Sequence, residues 1–369
     1  MTPYAHITGW GMAVPETILT NQELEKIVET NDEWIISHSG IRERHIAKEG
    51  ETSSSLASEA ALKALEMANV HPSTVDLIIV ATSSPDQIFP ATACSVQDAI
   101  GAKKAGAFDL SAACTGFIYA LDLASNAIRS GSIKTALVIG AETLSRFVNW
   151  QDRNTCILFG DGAGAFVLQA SEDSGGFLAS VLRSDGSGAD LLTLPAGGSK
   201  QPASPITVKN GQHYIQMKGR EVFRFATRVM AQSTLEVIQK ANLNLDDIQL
   251  IIPHQANQRI IETAAKNLNI AQEKIMLNID RYGNTSTASI PIAVCEAVQN
   301  GKINAGDKLV FVAFGAGLTW GAALVQWSGP LPIKRKVYPS RYRLLARLRS
   351  VTLRWWRRIE GWIWGKQAS

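Results

Sequence analysis

Three residues far apart in the chain carry side chains suited to nucleophilic chemistry and its support: Cys114, His254 and Asn284. Cys114 lies in Ala107-Phe-Asp-Leu-Ser-Ala-Ala-Cys-Thr-Gly-Phe-Ile-Tyr-Ala-Leu121, where a short β-like run ends in small residues and a helical pattern begins. A thiolate is the nucleophilic form of cysteine, and the partial positive charge and free N–H groups of a helix start favour it. His254 directly follows the apolar run Leu250-Ile-Ile-Pro253. A side chain at the end of a buried parallel strand projects into the crevice where α/β sheets hold ligands. Asn284 stands in Arg281-Tyr-Gly-Asn-Thr-Ser-Thr-Ala288, at a turn opening a helix. Singly, each has a plain alternative: Cys114 as a small apolar junction residue, His254 as a structural histidine, Asn284 as a cap or turn. Together, at strand ends and helix starts, they point to one site.

The elements that position them repeat. Val75-Asp-Leu-Ile-Ile-Val80 matches Ile248-Gln-Leu-Ile-Ile-Pro253, Thr135-Ala-Leu-Val-Ile-Gly140 matches Lys308-Leu-Val-Phe-Val-Ala313, and Gly162–Gln169 matches Gly321–Gln326. Each run is short, β-branched and continuous, as a strand buried on both faces reads. Helical patterns over Cys114–Arg129, Gly219–Asn242, Ala256–Leu268 and Ser286–Gln299 separate them. A helix is also expected from about Ser53 to Asn69, and Ile7-Thr-Gly-Trp-Gly11 reads as a glycine-turned opening. Strand–helix alternation predicts mostly parallel sheets, and a duplicated unit predicts five layers, α-β-α-β-α. Asn284 then occupies nearly the counterpart position to Cys114. The expected division is an N-terminal half over 1–172, a C-terminal half over 173–327 and an extension over 328–369.

With 369 residues and 46% hydrophobic composition the chain can bury a large core, which argues against disorder. No secretory pattern opens it, and no run reaches the roughly 18 apolar residues of a spanning helix, so a cytosolic location is expected. Cys94, Cys114, Cys156 and Cys295 lack metal-ligand spacing, so neither a metal site nor a disulfide framework is expected; Cys94, Cys156 and Cys295 read as buried bystanders. The net charge of +3 is uneven. From Ser328 onward eleven basic residues face one acid, Glu360, a net of +10 that leaves −7 for the rest.

Several stretches together carry a family resemblance: Asp32-Glu-Trp-Ile35 with Gly40-Ile-Arg-Glu-Arg44, Ala112-Ala-Cys-Thr-Gly116, Phe159-Gly-Asp-Gly-Ala-Gly164, His254-Gln-Ala-Asn257, Gly283-Asn-Thr-Ser286 and Phe314-Gly-Ala-Gly-Leu-Thr-Trp-Gly321. The chain from about Tyr4 to Trp327 resembles β-ketoacyl-acyl-carrier-protein synthase III, an initiating condensing enzyme of the thiolase fold. The resemblance implies that Cys114 takes an acyl group, preferably acetyl, from acyl-CoA. His254 and Asn284 then hold the thioester carbonyl of malonyl-carrier protein as CO₂ leaves. An enolate needs neutral or cationic donors and no nearby carboxylate. The backbone N–H groups of Cys114 and Ala316 would form the oxyanion hole, Ala316 standing where relatives often have glycine. CoA contacts carry over to Trp34 and Arg153 around the adenine and to Thr30, Met217, Phe223, Ala256 and Asn257 along the pantetheine. His38 replaces an arginine near the CoA phosphates, and Arg220 replaces a tunnel asparagine. Phe89 matches the residue that closes a dimer partner's acyl pocket, its alternative being an ordinary core phenylalanine. Arg224, Gln255, Arg259 and Lys266 match the carrier-protein surface. A homodimer is implied and no cofactor.

Beyond Trp327 the chain opens with Ser328-Gly-Pro-Leu-Pro332, a linker composition. At 100° per residue, Leu344, Leu345, Leu348, Val351, Trp355, Trp356, Ile359, Trp362 and Ile363 share one face. Arg343, Arg347, Arg349, Arg354, Arg357 and Arg358 share the other, while Leu353 and Trp364 fit neither. This is the pattern of an in-plane helix on anionic lipid, giving a membrane contact through residues 341–364. Competing readings are a dock for the carrier protein, a helix packed on the body, and a solvated tail that folds on binding. No motif supports nucleic-acid binding. The alternatives to an initiating enzyme are a relative using a longer or unusual acyl starter in secondary metabolism, and a membrane-bound scaffold with residual chemistry.

Overall fold

The computed structural model describes residues 3–329 and 338–364, without the side chains of residues 339–342, 361, 363 and 364. Lys334, Arg335, Lys336 and Lys366 lie outside the described residues, as does the end of the linker stretch; the Arg341, Ile363 and Trp364 side chains are likewise undescribed. The main strands are β1 (Tyr4–Ala13), β2 (Leu77–Ala81), β3 (Gly106–Leu110), β4 (Thr135–Glu142), β5 (Gly162–Ser171), β6 (Gly176–Ser184), β7 (Leu250–Pro253), β8 (Lys308–Gly315) and β9 (Thr319–Gln326). The main helices are α1 (Asp32–Ser39), α2 (Ser53–Ala68), α3 (Thr92–Ile100), α4 (Gly116–Arg129), α5 (Gly219–Lys240), α6 (Gln258–Leu268), α7 (Ser289–Gln299) and α8 (Pro339–Trp364).

A five-stranded sheet runs β1-β5-β4-β2-β3 and a four-stranded sheet runs β6-β9-β8-β7. Laid side by side, β1, β5, β4 and β2 occupy the places of β6, β9, β8 and β7; the last three pairs are the runs matched in the sequence, and the pairing of β1 with β6 is new. The counterpart of β3 shrinks to a single parallel bridge between Ile251 and Ile275. The five layers are present. Helices α2 and α3 cover one sheet, α5 and α6 cover the other, and α4 and α7 fill the space between. The shared central core holds Phe117, Phe166, Phe311 and Trp327, with Phe117 edge-on to Phe166 at 5.1 Å.

The strand directions differ from the expectation. Only β2–β3, β2–β4 and β7–β8 pair parallel; β1–β5, β4–β5, β8–β9 and β6–β9 pair antiparallel. For β8 and β9 the cause is connection length. Residues 316–318 join β8 to β9, and so short a link only turns the chain back, whereas a parallel neighbour needs a crossover of a dozen residues or more.

The opening segment is also not a turn. Gly9 and Gly11 sit within β1, where a Cβ would come 2.3 Å from the Ala64 carbonyl oxygen and 2.5 Å from that of Ala60. The glycines let α2 lie directly on the strand. That helix matches them with Ala57, Ala60, Ala61, Ala64 and Ala68, and starts where the Thr52 hydroxyl accepts from Ser55 N–H. Cys94 corrects a third expectation: it is exposed on α3, while Cys156 and Cys295 are buried. Its neighbour β3 is the last strand of its sheet and covers it on one side only.

Candidate active site

Cys114 sits in a single 3₁₀ turn, Ala113–Thr115, between the end of β3 and the start of α4. Ala113 adopts φ +47°, which turns the chain so that the thiol faces inward with the residue 9% exposed. The tip of β8 closes against this turn. A Cβ on Gly315 would stand 2.7 Å from the Cys114 nitrogen, so only glycine admits the approach. Ala316 follows in the adjoining turn.

The helix start does not yield a resting thiolate. Burial pushes the Cys114 thiol up to about 12; the Ser286 hydroxyl opposes this and the Glu142 carboxylate adds to it. A carboxylate in this neighbourhood was not foreseen. Glu142 ends β4, fully buried, and accepts from the Ser84 hydroxyl at 2.5 Å and Ser83 N–H at 3.1 Å; it lies 3.0 Å from the Thr287 hydroxyl. Burial raises its pKa, while hydroxyls of Ser84, Ser286 and Thr287 and the Ser83 N–H hold it down. Ser286 therefore stands between carboxyl and thiol. The charge is surrounded by donors, which is the condition under which a buried carboxylate is tolerated.

Asn284 belongs to a turn clamped from below. Its N–H donates to Leu158 O at 2.8 Å, and its carbonyl accepts from Gly160 N–H at 3.1 Å. A Cβ on Gly140 would meet Thr287 O at 2.2 Å, and one on Gly160 would meet Tyr282 O at 2.3 Å. Beneath lies Arg44, fully buried, donating to Leu19 O, the Asn21 side chain and Ile157 O. The Asn284 side-chain oxygen accepts from Ser286 N–H at 2.9 Å, which leaves the Nδ2 hydrogens as donors toward the site.

His254 is 1% exposed, its own N–H held by Val312 O at 2.8 Å and its ring edge-on to Phe314. Nδ1 lies 2.7 Å from the Ser289 hydroxyl, and that oxygen also accepts from Gln255 N–H at 3.4 Å. With the hydroxyl hydrogen given to Nδ1, the assignment this contact allows, the ring proton sits on Nε2. Nε2 is buried and has no partner among the described residues. Burial lowers the ring pKa to about 3, so at neutral pH the imidazole is an uncharged donor. One segment, residues 284–289, thereby ties all three groups together: Asn284 itself, Ser286 to the Cys114 thiol, and Ser289 to His254.

Residues 108–186 match the 3-oxoacyl-[acyl-carrier-protein] synthase III family, and residues 238–327 match its C-terminal part. Over 322 residues the chain is 55% identical to a β-ketoacyl-[acyl-carrier-protein] synthase III of Desulfitobacterium hafniense, covering 87% of this chain and 97% of that one. The chain belongs to this synthase III family. A second member, from Roseiflexus sp., is 51% identical over 328 residues, covering 89% of this chain and all of its own. The crystal structure of the synthase III from Aquifex aeolicus superposes with a TM-score of 0.81 at 50% identity, over 88% of this chain and all of that one.

The remaining sites expected of a synthase III fall into three groups. Arg153 stacks over Trp34 at 4.9 Å, and His38 stacks on Trp34 at 4.2 Å with Nδ1 at 2.7 Å from the Trp34 carbonyl. The His38 side chain is thus turned onto the tryptophan. Thr30 Oγ1 is buried and unpartnered among the described residues; Asn257 donates to His38 O, and Met217 and Phe223 are half-buried, with Ala256 buried. Arg224, Arg259 and Lys266 are exposed on the packed pair α5 and α6, Arg259 over the Phe223 ring at 5.8 Å. Gln255 does not belong with them. It is 1% exposed, and its amide is spent on Pro253 O, Met276 O and Asn278 N–H. Its role is to hold the strand end that carries His254. Phe89 is 82% exposed beside Ile88, so it is no core residue of its own chain.

Sequence reasoning passed over Glu142, Arg44, Ser286 and Ser289. Glu142 and Ser289 carried no motif of their own; Arg44 and Ser286 were inside quoted motifs without an assigned role.

Proposed function

We propose that this chain condenses an acyl-CoA, acetyl-CoA in the first instance, with malonyl-acyl-carrier protein, initiating type II fatty-acid synthesis. Cys114 sulfur bonds to the acyl carbon as the CoA sulfur–acyl bond breaks, and the thiol proton ends on CoA. The N–H groups of Cys114 and Ala316 take the carbonyl charge of that step. The carbon–carbon bond to the malonyl carboxyl then breaks, releasing CO₂, and the enolate oxygen accepts from His254 Nε2–H and Asn284 Nδ2. The carbanion attacks the acyl-cysteine, the carbon–sulfur bond breaks, and the cysteine sulfur regains a proton from solvent. The observation that carries this reading is the neutral His254, with Nε2 buried and unengaged, beside an Asn284 whose amide is turned to donate. Donors of this kind stabilise an enolate without first removing a proton.

In the same reading Trp34 and Arg153 part to admit adenine, with Thr30, Met217, Phe223, Ala256 and Asn257 along the pantetheine, and Arg224, Arg259 and Lys266 receive the acidic carrier. The halves 1–172 and 173–327 form the two walls of the site. The enzyme is a cytoplasmic homodimer. Its β3 is an edge strand with Phe108 exposed, Ile88 and Phe89 are exposed as well, and an unpaired edge with exposed apolar side chains suits a second copy, whose acyl pocket Phe89 closes. Residues 341–364 make a peripheral membrane contact.

Intact-mass spectrometry after incubation with a panel of acyl-CoAs tests the reaction. An acetyl adduct, absent in Cys114→Ser, is expected. Adducts from longer or branched donors alone would move the enzyme to a specialised starter, and none from any donor would overturn the acyl-CoA step.

A further inference from the structure

Helix α8 lies on the body by its small face. Ala346 and Ser350 are each 7% exposed, Ser350 donates to Asp98 at 2.6 Å, and Ala346 sits against Gly101 at the end of α3. A helix C-terminus carries partial negative charge, and with Asp98 it forms a fitting seat for an arginine-rich helix. Taking about 100° per residue, Leu344, Leu348, Val351, Trp355, Ile359 and Trp362 point roughly 160° away from that seat. Leu345 and Trp356 widen the same face. The three tryptophans are 64%, 62% and 73% exposed. Arg343, Arg347, Arg354 and Arg358 fall on the flank between seat and apolar face, with Arg349 on the opposite flank. Glu360, the one acid of the tail, is taken up by Trp356 Nε1 at 2.7 Å.

We infer that α8 is a docked adaptor: Ala346 and Ser350 seat it on α3, and its outward face lies in the surface of an anionic bilayer, holding the body in one orientation. This rests on the peripheral-membrane part of the reading above and adds the seat on the body and the direction in which the apolar face points. No helix among the described residues is long and apolar enough to cross a membrane, so the contact is in-plane. Tryptophan bodies with arginine flanks fit the headgroup boundary. Charge opposes pairing of two such helices face to face, and the remainder of the chain, at −7, is itself repelled by anionic lipid, which leaves α8 as the element that meets the bilayer.

The test is flotation of the full chain with vesicles of phosphatidylcholine alone or with about one-third phosphatidylglycerol. Wild type is compared with Trp355→Ser/Trp356→Ser/Trp362→Ser and with Ala346→Glu. Wild type is expected to float with anionic vesicles only, and less at high salt; the triple variant is expected to lose about tenfold or more of this binding while still forming the acyl adduct. Ala346→Glu is expected to float, but to show faster amide exchange over 92–101 and α8 in the absence of lipid. Failure of wild type to float removes the membrane contact altogether. Equal flotation of wild type and triple variant keeps a membrane contact and overturns the outward face. Unchanged exchange in Ala346→Glu overturns the seat. A rise in oligomer mass that the triple variant abolishes, without flotation, assigns the face to a second copy instead.

Discussion

At Cys114 and His254, burial sets the charge state, and both groups rest neutral. For His254 this carries a measurable linkage. In the unfolded chain a histidine gains its proton below about 6.5, whereas the folded ring stays neutral down to about 3. Between those values the unfolded state binds more protons, so native stability falls as pH falls through this window and is unaffected above it. Denaturant unfolding at pH 7 and pH 5 is expected to differ by about 2 kcal/mol from this residue, and His254→Gln is expected to remove that contribution. The same neutrality predicts the kinetics. Asn284→Ala is expected to leave the acetyl adduct on Cys114 intact while cutting CO₂ release by about 10² to 10³, since one developing-charge donor is lost. Parallel measurement of adduct mass and CO₂ separates the two steps; equal loss in both would remove Asn284 from the decarboxylation.

Among the elements, the turn carrying Asn284 is the one whose position is most constrained. It is pressed between β4 and the floor built on Arg44, and Gly140 is the contact that permits it. Gly140→Ala places a methyl where Thr287 O now stands, and strain of this kind costs about 1–3 kcal/mol when the structure yields. The expected result is a chain that folds with a lower melting temperature and loses condensation far beyond the stability change, because Ser286 and Ser289 move with the turn. A normal CO₂ release rate in a folded Gly140→Ala would show that the turn tolerates displacement. Glu142→Gln probes the other anchor. It keeps the shape but introduces an NH₂ among donors already aimed at an oxygen, so reduced stability is expected, and loss of the negative charge that raises the thiol is expected to speed Cys114 alkylation by iodoacetamide in the folded variant.

At the scale of the whole molecule, the body and the extension are separable. The C-terminal family match stops at residue 327, before α8, and among the described residues α8 meets the body chiefly at α3 and α2. A chain ending at Gly329 is therefore expected to acylate at the full-length rate within about twofold and to lose vesicle flotation. Sedimentation would show whether the body pairs through β3. Two copies are expected, with Phe108→Asp shifting the mass to a single chain, since a charge on an apolar edge opposes pairing.

Much of this was legible in the amino-acid order. Matched apolar runs identified equivalent strands of two sheets, because a strand buried on both faces must be continuously apolar wherever it recurs. Cys114, His254 and Asn284 were legible because chemistry restricts residue type, and strand ends and helix starts are marked locally. What only the tertiary structure decided concerns distance across the fold. Gly9 and Gly11 read as a turn until α2 lay on them, since local sequence does not record which helix approaches a glycine. Gln255 read as surface until its amide was found inside. Glu142 had no signal at all: a lone carboxylate at the end of a strand is ordinary until Ser84, Ser286 and Thr287 converge on it from three segments. The outward turn of α8 was set the same way. Its periodicity defined an apolar face, and only the seat at Asp98 and Gly101 determined that this face points away from the body.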